Sequence, residues 1–429
     1  MNQTITATLK ETWNAKRWFR ILLIATLIWT ALRIGLDAYI VFSGTEDQAG
    51  VDQQVYTDAA QSFAKRADLY PTSLESLENQ YPYPPVFALL SEVLLILPSE
   101  ANIIISSLLH ILTFCALYFI WWKIFQYCKL DKAAQALILT IPLWLMFSPF
   151  WDDLSYLNIY TIMALLGSLL IYAVLKEDLW QAVPWLVLIL ITKPMWAFAV
   201  AVPLLLGHAK DYRFFAKLIL WSLGGYVLLA GITFLVAGPA YIYRQYQDYI
   251  QLLLRLGNDF PWRGPGTGFM GYNHSMKQII AFYVGVSASA LRLATFIKIV
   301  LLIPLLVFAI KTIYKPKKQR ALPETLEIAF LFYLGTFIWL DILWEAFLSI
   351  AIFTYLISVS ESKTLRCVTY AVFLPYALLD IYRVVLYVAN TPMVQDSYLL
   401  WDFSLYVPII MIVIVAFYAI LLVKVFRHG

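Results

Sequence analysis

The sequence predicts an all-α polytopic membrane protein, and three observations predict it. Of 429 residues, 62% are hydrophobic and only 14% are charged, with a mean hydropathy of +0.74, whereas water-soluble chains carry about 25% charged residues. Apolar runs long enough to cross a bilayer, about 20 residues each, recur from one end to the other. The basic residues gather in the short connections between those runs, as cytoplasmic loops require. The net charge of +4 is therefore no sign of nucleic acid. Cys115, Cys128 and Cys367 have neither metal nor disulfide spacing. There is no Walker loop, Rossmann glycine pattern, HExxH or GxSxG, so no nucleotide, metal or other cofactor is expected.

The clear spans are 18–41, 101–122, 133–148, 157–175, 215–237, 291–313, 324–340, 342–359, 365–388 and 403–426. The run 18–41 is too long for a cleaved signal peptide and is expected to be a retained first helix. The stretch 179–207 exceeds one span and is interrupted at Thr192-Lys193-Pro194, where proline removes a backbone donor and obstructs a helix. Two short spans, 179–192 and 193–207, bring the expected total to about twelve. That number places Lys123/Lys129/Lys132, His208/Lys210/Arg213/Lys217, Lys311/Lys315/Lys317/Lys318/Arg320, Lys363/Arg366 and both termini on the cytoplasmic side. Loop 43–84, Asp152-Asp153, loop 238–290 and segment 389–402 then lie outside. Two shorter apolar stretches, 85–97 and 276–287, are expected to be partly inserted or re-entrant from the outer side. No repeat or linker divides the chain, so residues 1–429 form one membrane domain.

The two outer loops are expected to carry interfacial helices. In the first, Val55, Ala59, Ser62 and Phe63 share a helical face. In the second, 241–256 mixes aromatics and leucines with Arg244, Asp248 and Arg255, and Pro261 to Gly268 make an irregular loop at the surface.

An apolar chain that concentrates carboxylates beside the bilayer points to chemistry there. Asp52 opens the first interfacial helix and has two readings, a helix N-cap or a general base facing a membrane-level cleft. Asp58 reads as a solvated or capping carboxylate, and Glu46, Asp47, Asp68, Glu75 and Glu78 read as ordinary solvated loop charges. Lys193, beside the proline break, either faces an anion or snorkels to the interface. Arg263, among glycines, reads as a phosphate contact or a plain loop arginine. Asn273, His274 and Ser275 suit sugar hydroxyls or phosphate oxygens; the competing roles are helix capping for Asn273 and Ser275 and a structural place for His274. Glu345, with Asp341 and Trp344 in an apolar turn, and Asn158, after Asp152-Asp153, are expected to face a cavity or a partner; Glu345 has Lys193 as a possible counter-ion.

The pattern resembles a known family. Asp52-x-x-x-Tyr56-x-x-Ala59-Ala60, Asp68-Leu69-Tyr70, Tyr83-Pro84-Pro85, Leu157-Asn158, Lys193-Pro194 and Asn273-x-Ser275 together resemble the GT-C membrane glycosyltransferases that use polyprenyl-phosphate sugars, specifically glycosyltransferase family 87. That family includes polyprenol-phosphate-mannose α-mannosyltransferases that extend phosphatidylinositol mannosides. Two departures stand out. Where members have a Ser-Trp-Glu-His-like segment, this chain has Leu343-Trp344-Glu345-Ala346-Phe347, and a Gly-Gln-x-Asn pattern is reduced to Ser155-Tyr156-Leu157-Asn158.

The resemblance implies a GT-C-type bundle and an inverting transfer of a sugar, mannose by preference, from a polyprenyl phosphate to a lipid-linked or glycan acceptor. Asp52 is expected to be the base, Lys193 and Arg263 to meet the donor phosphate, and Tyr56, Tyr83, Asn158, Asn273, His274, Ser275 and Glu345 to line the substrate site. The expected partners are donor, acceptor and membrane lipids. The expected place is a bacterial inner membrane with the site on its outer face. The alternatives are a flippase or transporter of a lipid-linked sugar and a non-catalytic subunit of an envelope-assembly complex.

Overall fold

The computed structural model describes residues 5–43, 50–70, 81–206, 209–267, 270–271, 273–314, 320–388 and 408–428. The described residues are helical or irregular, with no strand among them. The expected loop charges Glu46, Asp47, Glu75 and Glu78, the basic residues His208, Lys315, Lys317 and Lys318, and all of segment 389–402 lie outside the described residues.

Helices α1 (Ile5–Ala15) and α2 (Arg17–Ser43) open the chain. The helix expected in the first outer loop is α3 (Val51–Ala64), as the hydrophobic spacing predicts. Its N-cap is Gly50, in the left-handed region at φ 68°, where glycine carries no Cβ penalty. Asp52 is therefore not the cap: it lies in the first turn, and its side chain is engaged elsewhere.

After Tyr83-Pro84, α4 (Pro85–Ser91) and a 3₁₀ helix (Glu92–Leu95) form the short apolar stretch predicted to be partly inserted. Helix α5 (Ser99–Tyr127) is a full-length span. The predicted span 133–148 is not one straight helix. Helices α6 (Asp131–Leu139), α7 (Ile141–Leu145) and α8 (Ser148–Tyr156) form a bent run, with a 55° change of direction after Leu139. Pro142 and Pro149 each sit in the first turn of a new helix, where the missing N–H is harmless.

Helix α9 (Tyr160–Leu175) follows a sharp turn at Leu157, which has φ 52°. A non-glycine residue in that region costs about 1–3 kcal/mol and persists only where its surroundings hold it. The predicted break in 179–207 is present: α10 (Leu179–Leu190) stops before Lys193, and a 3₁₀ helix (Pro194–Leu205) follows.

Helices α11 (Ala209–Ala237) and α12 (Pro239–Asp259) come next, the second being the predicted outer-loop helix. Helix α13 (Met276–Val284) is the second short apolar segment, and α14 (Ala288–Tyr314) and α15 (Leu322–Trp339) are long and apolar. The predicted span 342–359 is helical only over α16 (Ser349–Val359); residues 340–348 form an irregular segment whose backbone groups are met by side chains. Helices α17 (Lys363–Ala377), α18 (Leu379–Val388) and α19 (Ile409–His428) complete the chain.

Six helices among the described residues are long and apolar enough to cross a membrane, and the bent α6–α8 run brings the number to seven. The expectation of about twelve spans is not reached by length and composition. The difference lies in short apolar helices such as α9, α10 and α16, which fall below the length of a full span and pack against neighbouring helices. Helix α9 lies against α5, α10 and the 3₁₀ helix Pro194–Leu205, and α15 lies against that 3₁₀ helix and α19. The core is aromatic and aliphatic, with Trp121, Trp196, Tyr333 and Phe347 fully buried. Helix α2 is tied to it by a polar clasp: Arg33 pairs with Asp37 and with Asp380 (3.1 Å), and its guanidinium donates to Ser155 Oγ (3.1 Å).

Candidate active site

Four separate segments bring one polar cluster together at α3. The amphipathic spacing of α3 turns Asp52, Tyr56 and Phe63 inward and buries Tyr56 and Phe63 against Tyr81, Tyr83 and Ala88. Tyr83 is presented by the Tyr-Pro-Tyr-Pro-Pro segment, whose prolines hold it extended before α4. Its carbonyl accepts from Tyr70 OH (2.6 Å), and its ring stacks on Phe87 at 4.7 Å. Asn158 comes from the α8–α9 turn, Tyr160 from the first turn of α9, and Lys193 from the break before the 3₁₀ helix Pro194–Leu205.

Asp52 and Asn158 meet directly. Asn158 Nδ2 donates to Asp52 Oδ2 at 2.8 Å. Asn158 Oδ1 accepts from Tyr56 OH at 3.3 Å and from the Ile159 amide at 2.7 Å, which fixes which end of the side-chain amide faces Asp52. The Tyr56 and Tyr83 hydroxyls lie 3.2 Å apart. Burial pushes both phenols well above their ordinary value, so they stay neutral.

The Lys193 side chain is 9% exposed. Its ammonium sits 3.7 Å from the centre of the Tyr160 ring and 5.4 Å from that of Tyr83, within cation–π range. Its charge acts on Asp52 and on Asp153. Snorkelling to an aqueous interface is thus not its role here. Burial raises the Asp52 carboxyl above its ordinary value; the Lys193 charge and the Asn158 hydrogen bond pull it back part of the way. The net upward displacement makes Asp52 a stronger base than a solvated aspartate.

The turn that carries Asn158 is clamped from below. Asp153 accepts from the amides of Tyr160 (3.2 Å) and Thr161 (2.8 Å), capping α9, and its backbone carbonyl accepts from the Asn158 amide at 3.2 Å. His110, from the middle of α5, places Nε2 2.5 Å from the Asn158 carbonyl and 3.6 Å from Asp153 Oδ2, with Nδ1 2.7 Å from the Ser106 carbonyl. The Gly50 amide donates to the Ser155 carbonyl (2.9 Å), which fastens the start of α3 to the same turn. Sequence reasoning missed His110 and Tyr160, and it placed Asp153 in an outer turn without a role in the site. The signal for His110 was legible, since an ionisable residue inside an apolar span is a functional candidate by default. Tyr160 carried no comparable signal among 28 tyrosines.

The other predicted site residues form a second group. Ser275 caps α13, accepting from the Gln278 amide. Asn273 Oδ1 accepts from the amides of Ser275 and Leu343, both at 3.0 Å, and Nδ2 donates to the Asp341 carbonyl at 2.9 Å. The His274 amide donates to the Leu343 carbonyl at 2.6 Å. These bonds staple the loop to segment 340–348, so Ser275 has the capping role and Asn273 spends its side chain on backbone groups. The backbone of Arg263 is held at both ends by Gln278 of α13, at 3.2 and 2.9 Å. Glu345 Oε2 accepts from Tyr376 OH at 2.6 Å.

The two groups touch through aromatic contacts at Tyr160, where the Phe347 ring stacks at 6.1 Å. Trp344 meets the Tyr160 ring edge-on at 5.3 Å, on the residue that lies against Lys193. Ala346 is fully buried, and its amide donates to Tyr376 OH at 3.0 Å. Among the described residues no group of His, Cys, Asp and Glu is arranged to hold a metal ion.

The site therefore sets a half-buried carboxylate within the electrostatic influence of a buried ammonium, next to hydroxyl and amide groups, at the start of an amphipathic helix. Comparison with curated proteins and with solved structures finds no match. Comparison with protein families matches residues 81–340 to glycosyltransferase family 87. The match takes in Tyr83, Asn158 and Lys193, while Asp52 lies before it and Glu345 after it. With more than half of its length matched, and with an all-α membrane architecture, the chain belongs to glycosyltransferase family 87.

Proposed function

We propose that this glycosyltransferase moves a sugar, mannose in the first instance, from a polyprenyl phosphate to a lipid-linked or glycan acceptor on the outer face of a bacterial inner membrane, with inversion. The observation that carries this reading is the meeting of Asp52 and Asn158, with Lys193 acting on Asp52 from across the cluster. Asp52 takes the proton from the acceptor hydroxyl as that oxygen bonds to the anomeric carbon. The bond from the anomeric carbon to the phosphate oxygen breaks, its electron pair stays on the phosphate, and Lys193 stabilises the charge that grows there. A prepositioned cation does this best where water is scarce. A single displacement inverts the anomeric centre and needs one base. Asn158 orients the base, and Tyr56 and Tyr83 offer hydroxyls to the sugar. The staple of Asn273, His274 and Ser275 holds the loop that carries Arg263, and Arg263 is the second candidate for the phosphate.

The test uses full-length protein in liposomes with radiolabelled polyprenyl-phosphate mannose and a glycolipid acceptor. Asp52→Asn is expected to abolish transfer, and turnover at the wild-type rate would remove Asp52 from the base role. The same variant checks the burial argument. The native state holds the Asp52 proton more tightly than the unfolded chain does, so ionisation costs folding stability as pH rises from about 3.9 through the raised native value. Asn cannot ionise and still accepts from Asn158, so the variant should melt no lower than wild type at neutral pH.

A further inference from the structure

Helix α3 has a second polar face, turned away from the cluster around Asp52. Gln53, Gln54, Thr57, Asp58 and Gln61 recur at helical spacing and line a groove of about 510 Å³, within the range of small-molecule sites. The far wall is Leu94, Leu95 and Leu97 with Ile103, and Ser99 and Asn102 sit at its end, in the first turn of α5. Leu95 and Leu97 remain 38% and 43% exposed.

Three features select a ligand class. The first is Gln53, which is 6% exposed although its carboxamide oxygen has no hydrogen-bond partner. An unmet buried acceptor is costly unless something occupies the site it faces, and rotation of the amide offers either its donor or its acceptor to the groove. The second is the set of side chains that both donate and accept, three glutamines and Ser99, joined by the acceptor oxygens of Thr57 and Asn102, whose hydrogens go to the carbonyls of Gln54 and of Leu94 and Leu97. A sugar hydroxyl has the same dual character. The third is charge: among the groove's described lining residues Asp58 carries the one formal charge, which disfavours a phosphate and is compatible with a neutral polyol. The leucine wall supplies the apolar surface that the lipid-proximal part of such a molecule needs.

We propose that this groove binds the neutral, hydroxyl-rich headgroup of a membrane glycolipid, with the sugar against the glutamine face of α3 and the lipid-proximal part against Leu94, Leu95 and Leu97. The site is separate from the reacting centre and does not depend on Asp52 acting as a base.

The experiment places the full-length protein in phosphatidylcholine nanodiscs doped with a diazirine-bearing monoglucosyl diacylglycerol, irradiates, and locates the adducts by peptide mass spectrometry. Adducts are expected in the peptides that carry residues 53–61 and 94–103. They should fall about ten-fold in Gln53→Leu/Gln61→Leu and in Gln54→Ala/Gln61→Ala, each pair removing two hydrogen-bonding side chains. The second pair changes only exposed positions and keeps the test valid if the first does not fold. Asp52→Asn should label like wild type, which separates this result from the fate of the catalytic reading. Equal labelling by a diazirine-bearing phosphatidylcholine, or labelling that neither pair reduces, would overturn the proposal by reducing the groove to ordinary lipid contact.

Discussion

Replacing Asn158 with alanine removes the donor that meets the Asp52 carboxylate at 2.8 Å. A hydrogen bond to a charged group contributes about 1.5–3 kcal/mol. At about 1.36 kcal/mol per pH unit, its full loss would move the Asp52 titration up by about one to two pH units. The sign follows from the donor: Asn158 favours the ionised form, and burial already holds the carboxyl above its ordinary value. Asp52 is half-buried, so water replaces part of the lost bond, and the lower figure of about one pH unit is expected. The assay is the pH dependence of kcat/KM for sugar transfer. The acid limb of the profile should move toward alkaline pH, with transfer about ten-fold slower well below it and little changed on the plateau. Tyr56→Phe is the control, because it deletes the hydroxyl contacts to Asn158 and Tyr83 but leaves the Asp52 bond intact. An acid limb that stays in place in Asn158→Ala, or moves equally in Tyr56→Phe, would refute the reasoning.

Lys193→Met should lower kcat about 10²- to 10³-fold, the range for removing one prepositioned group that stabilises developing charge; wild-type turnover at saturating donor would return Lys193 to a packing role against Tyr160. His110→Leu should reduce transfer about ten-fold by releasing the Asn158 carbonyl, and unaltered kcat/KM would show that the α8–α9 turn holds itself. Lys298→Met strips a donor from the carbonyls of Trp339 (2.8 Å) and Leu340 (3.1 Å) and from Asp341. It should destabilise the fold by about 1–3 kcal/mol, read as a lower Tm in detergent, and an unchanged Tm would mean that water already satisfies those groups.

The pairing of Asp52 with Asn158 spans 106 positions, which explains the division between what was legible early and what was not. Composition and the recurrence of apolar runs determined the all-α membrane class, because hydropathy is a property of each segment taken alone. The helix break at Lys193-Pro194 and the two amphipathic helices, α3 and α12, were legible for the same reason: proline geometry and the spacing of apolar residues act within a few turns. The number of helices able to span a membrane was not legible, since whether a short apolar helix crosses lipid or packs within the bundle depends on its neighbours. Tertiary structure alone decided that Gly50, not Asp52, caps α3, that Ser275 caps α13, and that Asn273 ties its loop to segment 340–348. It also decided that His110 and Asp153 stand behind Asn158. A polar side chain can always bond locally or at long range, and only the packing of distant helices determines which partner reaches it first.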